Sequence, residues 1–226
     1  MDKRLSKLAD FVTAGHRLAD IGTDHAYLPI DLVKNNKIPF AIASDIAKGP
    51  LENAKEDIFQ AGLSDKIETR LGAGLDTISE QDKIETVVIA GMGGKLIVEI
   101  LEAARKRGLL FKELVLGPNI GEINVRTWLM KHHYQIVDEA LLAQSGHRYE
   151  IIKANYGVTE PLSPKELYFG PKILAEKNAV FFEKWQAQAK YLENLLDKLN
   201  MAKKPDSARI TDIKQQLQMI QEELND

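Results

Sequence analysis

The sequence predicts an α/β fold with a mixed, mostly parallel sheet, followed by a C-terminal helical coiled-coil hairpin. Over residues 1–158, short apolar runs alternate with longer helical patterns, which favours a parallel sheet with helices on both faces. Beyond Pro161 and Pro164 the strand pattern stops, and apolar residues recur at steps of three and four. We therefore predict two domains, residues 1–158 and residues 159–226.

Seven segments have the composition of strands. The first five are separated by helix-like segments such as "PIDLVKNNK" and "GKLIVEILEAARKRG", and Gly62 and Gly108 stand where helix C-caps are expected. No long helix separates the last two segments, so we expect them to form an antiparallel pair at one edge of the sheet. The segments are residues 17–21, 40–46, 66–72, 86–91, 113–118, 134–142 and 148–157.

Two apolar stripes with heptad-like spacing follow the second proline. The stripes consist of Phe182, Trp185, Ala189, Leu192, Leu196 and Leu199, and of Ile210, Ile213, Leu217, Ile220 and Leu224. The breaker "AKKPDS" between them is short, so the two helices should pack antiparallel. Stripes of this kind form a helix-packing seam far more often than a ligand surface.

The composition is that of a soluble globular protein, with 226 residues of which 44% are hydrophobic and 28% charged. The net charge of −3 gives no global basic signature for nucleic acid, although a local patch would suffice. Cysteine is absent, which excludes disulfides and thiolate metal sites. No segment has the pattern of a membrane span or a signal peptide. The histidines are not spaced from acidic residues as metal ligands usually are. We expect a cytoplasmic protein without metal or membrane partner.

The stretch "RLADIGTDHAYLP" carries the first functional signal. Asp20 lies two residues before Gly22, at a predicted strand end, which suits a nucleotide-type ligand above the carboxyl edge of the sheet. A dinucleotide would need G-x-G-x-x-G, and only one of those glycines is present. Asp20 and Asp24 favour a cationic, phosphate-free ligand such as S-adenosylmethionine. Alternatively, Asp24 is a helix N-cap, a role compatible with ligand binding.

The ends of the next three strands extend this site. Asp45 follows the second strand and is placed to bind ribose hydroxyls, with a helix N-cap as the alternative role. Gly72 and Gly74 would let the backbone lie beside an adenine ring. In "VVIAGMGGKLI" three glycines occur among four residues, more than a tight turn needs, which predicts close approach of a substrate.

Five segments together resemble one protein family. The segments "ADIGTDHAYLP", "SDIAKGPLENAK", "IAGMGGKLI", "LGPN…VRTWL" and "YEII" are similar to the TrmK family of bacterial tRNA adenine N1-methyltransferases, over about residues 3 to 200. The resemblance implies a class I (Rossmann-like) methyltransferase domain, S-adenosylmethionine as cofactor, and methylation of N1 of adenine 22 in tRNA. It also implies that the C-terminal coiled coil contacts tRNA.

The resemblance assigns roles to individual residues. The implied catalytic residues are Asp24, His25, Tyr27, Met92 and Asn119. The implied cofactor-binding residues are Asp20, Gly22, Thr23, Asp24, His25, Asp45, Ile46, Gly72, Ala73, Gly74, Leu75, Ala90, Gly91, Met92 and Gly93. Family members often carry Gly-Asp-Gly around position 73, where this chain has Ala73, so a carboxylate for the adenine amine is missing there.

Several points stay open at this level. N1 of adenine has an in-plane lone pair, so Asp24 is expected either to stabilise the developing positive charge or, like His25, to take a proton from the N6 amine. The candidate RNA contacts are Lys3, Arg4, Lys7, Lys165, Lys172, Lys177 and Lys184. The alternatives are a methyltransferase for another nucleic acid or small molecule, or a non-catalytic RNA-binding module. We expect a monomer.

Overall fold

The computed structural model of the protein describes residues 2–201 and 206–225. Backbone contacts divide the chain into two compact units, Met1–Lys172 and Ile173–Asp226. In the described part of the chain, no helix is both long and apolar enough to cross a membrane.

The first unit contains a seven-stranded sheet in the order β3-β2-β1-β4-β5-β7-β6. Strands β1 to β5 pair in parallel, whereas β7 is antiparallel to both β5 and β6. The parallel sheet and the antiparallel edge pair predicted from the sequence are therefore confirmed. The strands are β1 Leu18–Ile21, β2 Ala41–Asp45, β3 Ile67–Leu71, β4 Thr86–Ala90, β5 Glu113–Gly117, β6 Tyr134–Gln144 and β7 His147–Tyr156.

Helices cover the sheet on both faces because neighbouring strand residues point to opposite sides. In β4, Val87 and Ile89 belong to a core shared with α4 and α5, whereas Val88 belongs to a core shared with α1, α2 and α3. The helices of this unit are α1 Lys3–Phe11, α2 Tyr27–Lys34, α3 Lys48–Gln60, α4 Gly94–Lys106, α5 Glu122–Lys131 and α6 Pro164–Phe169. Two short 3-10 helices, Gly74–Thr77 and Glu80–Asp82, follow β3.

Local signals explain several helix ends. Gly62 and Gly108 have φ of +69° and +85° just beyond α3 and α4, which confirms them as C-cap glycines. The Asp2 carboxylate accepts the Leu5 N–H at 2.8 Å and caps α1. Ser163 and Glu166 form a capping box at the start of α6.

A buried charged network ties α5 to the antiparallel edge strands. Arg126 is fully buried, and its Nε and Nη2 donate to Glu139 at 2.8 Å and to Glu150 at 2.5 Å. The second oxygen of Glu139 accepts the Lys172 N–H at 2.9 Å. A Cβ on Gly170 would lie 2.5 Å from Nη2 of Arg126, so only glycine fits there. The network thus holds the segment that follows α6.

Helix α7, Pro171–Glu176, leads into the second unit, which consists of α8, Ala179–Asn200, and α9, Ser207–Asn225. The two long helices pack together through Trp185, Ala189 and Leu192 and through Ile213, Leu217 and Ile220, all buried. Lys177, just before α8, pairs with Glu223 near the end of α9 at 3.1 Å, so the helices run antiparallel, as the stripes predict. The first stripe begins with buried Phe181 and not with Phe182. Most of the breaker "AKKPDS" lies outside the described residues.

Candidate active site

The site lies at the carboxyl edge of the sheet, where the strand order reverses. Strands β1 and β4 are parallel neighbours there, and the chain leaves them toward opposite faces. In open α/β sheets such a crevice is where ligands bind. Two adjoining pockets open at this edge, and Gly22, directly after β1, lines both of them.

The first pocket has a volume of about 300 Å³ and mostly apolar walls. Strand ends of β1 and β2 form one side, the turn after β3 forms the second, and α4 forms the third. Its lining residues are Ile21, Gly22, Ser44, Asp45, Ile46, Gly72, Ala73, Gly74, Leu75, Asp76, Met92, Leu96, Glu99, Ile100 and Ala103. Apolar walls with a few carboxylates suit a purine nucleoside.

Asp45 and Ser44 supply polar groups to the first pocket. The Asp45 carboxylate accepts only a local bond at 2.7 Å from the Ala47 N–H among the described residues, and Ala47, not Asp45, is the N-cap of α3. The alternative of Asp45 as helix cap is therefore wrong. The Ser44 hydroxyl is buried and has no hydrogen-bond partner within the described structure. Ribose hydroxyls would satisfy both groups.

The second pocket, of about 200 Å³, is more polar and carries charge. Asp20 and Asp24 line it from the β1 end, and Arg4 lines it from α1. Its lining residues are Asp2, Arg4, Leu5, Leu8, Asp20, Gly22, Asp24, Tyr27, Leu28, Val88 and Ala90. The pKa of the Asp20 carboxyl is raised to about 6, mainly by burial and also by the neighbouring Asp24 and Asp45, while a hydrogen bond with Thr23 and the charge of Arg4 lower it. A ligand cation placed here would be attracted by the carboxylates of Asp20 and Asp24, which line this pocket.

The turn between β1 and α2 has an unusual backbone. His25 and Ala26 both have positive φ, +56° and +50°, a conformation that costs energy for residues other than glycine. Helix α2 begins at Tyr27 with Ala26 as its N-cap and no side-chain cap. The alternative of Asp24 as helix cap is therefore wrong, and its side chain is 85% exposed. His25 instead contacts Asp57 on α3, with 2.7 Å between Nδ1 and Oδ2.

The glycine-rich turn after β4 has internal reasons for its glycines. Gly91 has φ of +84°, and a Cβ on Gly94 would lie 2.2 Å from the Gly121 carbonyl oxygen. Gly94 therefore allows the start of α4 to pack on the start of α5. The sequence-based explanation, close approach of a substrate, is not needed for these two positions.

Met92 and Asn119 complete this turn. A Cβ on Gly22 would lie 2.3 Å from Cε of Met92, so the Met92 side chain rests on Gly22 beside the boundary of the two pockets. The Asn119 side-chain amide donates to the Gly91 carbonyl at 2.7 Å, and its backbone N–H donates to the Met92 carbonyl at 2.8 Å. Asn119 thereby fixes the turn that carries Met92.

Comparisons with known proteins identify the family. The family model for tRNA (adenine(22)-N(1))-methyltransferase, TrmK, matches residues 18–222. The chain belongs to the TrmK family. A Bacillus subtilis (strain 168) tRNA (adenine(22)-N(1))-methyltransferase is 38% identical over 208 residues, covering 89% of this chain and 87% of the relative.

Solved structures of relatives share the whole architecture. A Streptococcus pneumoniae protein in complex with S-adenosyl-L-methionine has 38% identity and a TM-score of 0.90, with 99% of each chain covered. The TrmK of M. capricolum, in complex with the cofactor product S-adenosyl-homocysteine, has 30% identity and a TM-score of 0.88 and covers 100% of this chain and 98% of its own. The predicted family and class I methyltransferase fold are confirmed.

The structure brings most of the predicted cofactor residues of this TrmK-family chain to the two pockets. Thr23 is buried next to them, and Gly91 and Gly93 lie in the turn after β4 without lining either pocket. His25 also lies outside both linings. The sequence did not predict that α4 and α1 contribute lining residues to the pockets, among them Leu96, Ile100 and Leu5. It also did not predict the contact between His25 and Asp57.

The predicted RNA contacts lie on several elements. In α1, Lys3 is exposed, the Arg4 guanidinium lies 5.3 Å from the Tyr149 ring centroid, and the Lys7 ammonium lies 5.3 Å from the Phe11 ring centroid. Lys165 and Lys172 belong to the first unit, and Lys177 and Lys184 to the second. Within the described residues, no group of histidine and acidic side chains could hold a metal ion.

Proposed function

We propose that this protein transfers a methyl group from S-adenosylmethionine to N1 of adenine 22 in tRNA. The observation that carries the proposal is the junction at Gly22 of an apolar nucleoside-sized pocket with an acidic pocket that opens to solvent at Asp24. The family assignment and the cofactor and product complexes of relatives support the same activity.

The residues fit the methyl donor well. Asp45 would bind the ribose, Ile46 and Leu75 would flank the adenine, and Asp20 would face the cationic part of the cofactor. S-adenosylmethionine supplies an electrophilic methyl group on a sulfonium centre. The acid that family members often carry at position 73 is replaced by Ala73 in this chain, but Asp76 and Glu99 line the same pocket and provide carboxylates there.

The second pocket would receive the target adenine. N1 is a Watson–Crick atom, so the base must leave its pair or stack to reach Tyr27 and Met92. Its lone pair needs no prior deprotonation, and the protein's work is to hold N1 roughly 3–3.5 Å from the methyl carbon and in line with it. The methylated base is cationic, and we assign Asp24 to the stabilisation of that charge.

We assign the two predicted domains different tasks. Residues 1–158 would bind the cofactor and perform the transfer, and the helical residues 159–226 would contact tRNA. The proposed phosphate contacts are Lys3, Arg4 and Lys7 of α1, together with Lys165, Lys172, Lys177 and Lys184; of these, Arg4 lines the second pocket. We further propose that the protein acts as a monomer in the cytoplasm, where tRNA is modified.

Methyl transfer to an unmodified tRNA transcript, followed by mapping of the modified base, tests the function. We expect 1-methyladenine at position 22 and no product on a matched transcript carrying guanine there. A methyl group at another position would overturn the substrate assignment and leave the fold assignment intact. Calorimetry that detects no S-adenosylmethionine binding would instead favour a non-catalytic RNA-binding module.

Asp45→Ala is expected to weaken S-adenosylmethionine binding by about tenfold to a hundredfold. The variant loses hydrogen bonds from ribose hydroxyls to an ionised carboxylate, each worth about 1.5–3 kcal/mol. Calorimetric titration measures the change, with Glu52→Ala, an exposed carboxylate on α3 outside both pocket linings, as the matched control. Equal affinity in Asp45→Ala and Glu52→Ala would remove Asp45 from the cofactor site.

The raised pKa of Asp20 predicts a pH dependence of cofactor binding. A cationic ligand requires the ionised carboxylate, whose pKa is about 6 in the protein alone. We therefore expect affinity to fall as the pH drops below about 6, approaching tenfold per pH unit, with proton release on binding. Calorimetry between pH 5 and 8 checks this, and Asp20→Asn should flatten the profile. An unchanged slope in Asp20→Asn would assign the effect to another group.

A further inference from the structure

We propose that Asp57 is a positioning residue of the methyl transfer, which acts through His25 to hold the turn of residues 24–27 in its working conformation. The inference rests on the proposed function, because the turn presents Asp24 and Tyr27 to the pocket that receives the adenine. Asp57 belongs to a different helix, α3, and lines neither pocket.

The contact itself is short and directional. Nδ1 of His25 lies 2.7 Å from Oδ2 of Asp57, a distance at which the ring nitrogen donates its proton to the carboxylate. The other ring nitrogen, Nε2, lies 3.9 Å from the Asp24 carboxylate. Both side chains of the pair are about two-thirds covered, with 35% and 33% exposed. A carboxylate that binds one ring nitrogen fixes both the tautomer and the orientation of the imidazole.

The turn needs such a constraint. His25 and Ala26 occupy the left-handed region in succession, with φ of +56° and +50°, at a cost of about 1–2 kcal/mol for each residue. Residues keep such conformations only where their surroundings hold them. Ala26 is fully buried, and the Tyr27 ring stacks on the His25 ring at 5.1 Å with 9° between the planes. The contact with Asp57 therefore fixes His25, and His25 in turn supports Tyr27.

This arrangement separates His25 from the chemistry. Asp24 and Tyr27 line the second pocket, whereas His25 points to α3. Loss of the Asp57 contact would release the turn and misplace the adenine against Tyr27. The first pocket would be unaffected, since none of the residues 24–27 lines it. The expected signature is a fall in kcat that exceeds any change in cofactor affinity, because only the cationic part of the cofactor would reach the second pocket, at Asp20.

Asp57→Ala is the first test. We expect kcat for tRNA methylation to fall by about tenfold to a hundredfold, as misplacement of a reacting group does, with a clearly smaller change in the dissociation constant for S-adenosylmethionine. Glu56→Gln is the matched control, because Glu56 precedes Asp57 on α3 and is exposed, with its carboxylate bonded to Gln60. Wild-type kcat in Asp57→Ala would overturn the proposal.

Two variants of His25 distinguish positioning from proton transfer. Asparagine tolerates the left-handed region and offers an amide donor to Asp57, but it lacks the ring that stacks on Tyr27. His25→Asn should therefore retain part of the activity that His25→Ala loses. The double variant Asp57→Ala with His25→Ala should be no slower than His25→Ala alone, since both changes break one contact. Equal inactivity of His25→Asn and His25→Ala would show that the contact with Asp57 contributes nothing to the rate and would overturn the proposal.

A spectroscopic measurement tests the contact between His25 and Asp57 in the absence of substrate. In ¹⁵N spectra of histidine-labelled protein, neutral His25 should carry its proton on Nδ1, and Asp57→Ala should remove this preference. A proton on Nε2 in the wild-type protein would overturn the inference. A wild-type protein that fails to methylate tRNA while showing the Nδ1 tautomer would overturn the proposed function but not the structural pair.

Discussion

Asp24→Ala is expected to lower kcat for tRNA methylation by about a hundredfold while the protein stays folded. Positive charge develops on the adenine during transfer, and the loss of one preorganised electrostatic partner costs about 10²–10³ in rate. The fold should not depend on Asp24, because its side chain is 85% exposed and does not cap α2. Single-turnover kinetics at saturating cofactor and tRNA, with thermal unfolding in parallel, measures both effects.

Two further variants interpret this result. Asp24→Asn keeps the size of the side chain and removes its charge, so a similar loss would identify charge as the relevant property. Asp65→Ala removes an exposed carboxylate just before β3, at the opposite edge of the parallel strands, and should leave kcat unchanged. Near-normal turnover in Asp24→Ala would show that Asp24 lines the pocket without contributing to the rate of methyl transfer.

Arg126→Met is expected to lower the free energy of unfolding by about 3–5 kcal/mol, the usual effect of removing one partner from a buried ion pair. Glu139 and Glu150 would remain buried without their counter-ion. Burial raises the pKa of Glu139 even with Arg126 present, so its neutral form is favoured at lower pH. The deficit relative to wild type should therefore shrink as the pH falls from 8 to 5. Chemical denaturation across this range measures the difference.

Matched replacements test the explanation. Arg105→Met removes an exposed arginine of α4 that pairs with Glu102 at 2.8 Å, and surface pairs contribute little. A triple variant, Arg126→Met with Glu139→Leu and Glu150→Leu, should recover much of the lost stability because neither carboxylate is then left buried without Arg126. Equal stability of Arg126→Met and Arg105→Met would show that the buried carboxylates do not need Arg126.

The fold could be predicted because its determinants are local. Buried parallel strands such as "TVVIA" read as continuous apolar runs, and the helices between them end at glycines such as Gly62 and Gly108. The seam of the helical hairpin follows equally from residue spacing, apart from its first residue. The predicted stripe begins at Phe182, whereas Phe181 is the buried residue, because residue spacing alone does not fix where α8 begins.

The site could be predicted only where it follows directly from a strand end. Asp20, Asp45 and Gly22 come immediately at or after β1 and β2, so parallel-sheet geometry brings them together. Residues from other elements give no comparable signal: Leu96 and Ile100 read as an ordinary helix face, and Asp57 reads as a solvated helix residue. Their roles depend on helix packing angles, which residue spacing along one segment does not encode.

For the glycines after β4, the sequence contains a signal but does not show its cause. A cluster of glycines indicates close approach of some group, but the sequence does not say which one. For Gly94 that group is the Gly121 carbonyl on the neighbouring helix start. A glycine required for helix packing and a glycine required for ligand binding therefore look the same in the sequence.

Helix α1 has a practical consequence for work with this enzyme. Asp2, Arg4 and Leu5 line the second pocket, although the family model begins only at residue 18. A purification tag or fusion partner placed ahead of Asp2 would stand beside the pocket that we propose for the target adenine. Kinetic constants measured on such a fusion would report the tag together with the enzyme, so a tag at this end should be removed before measurement.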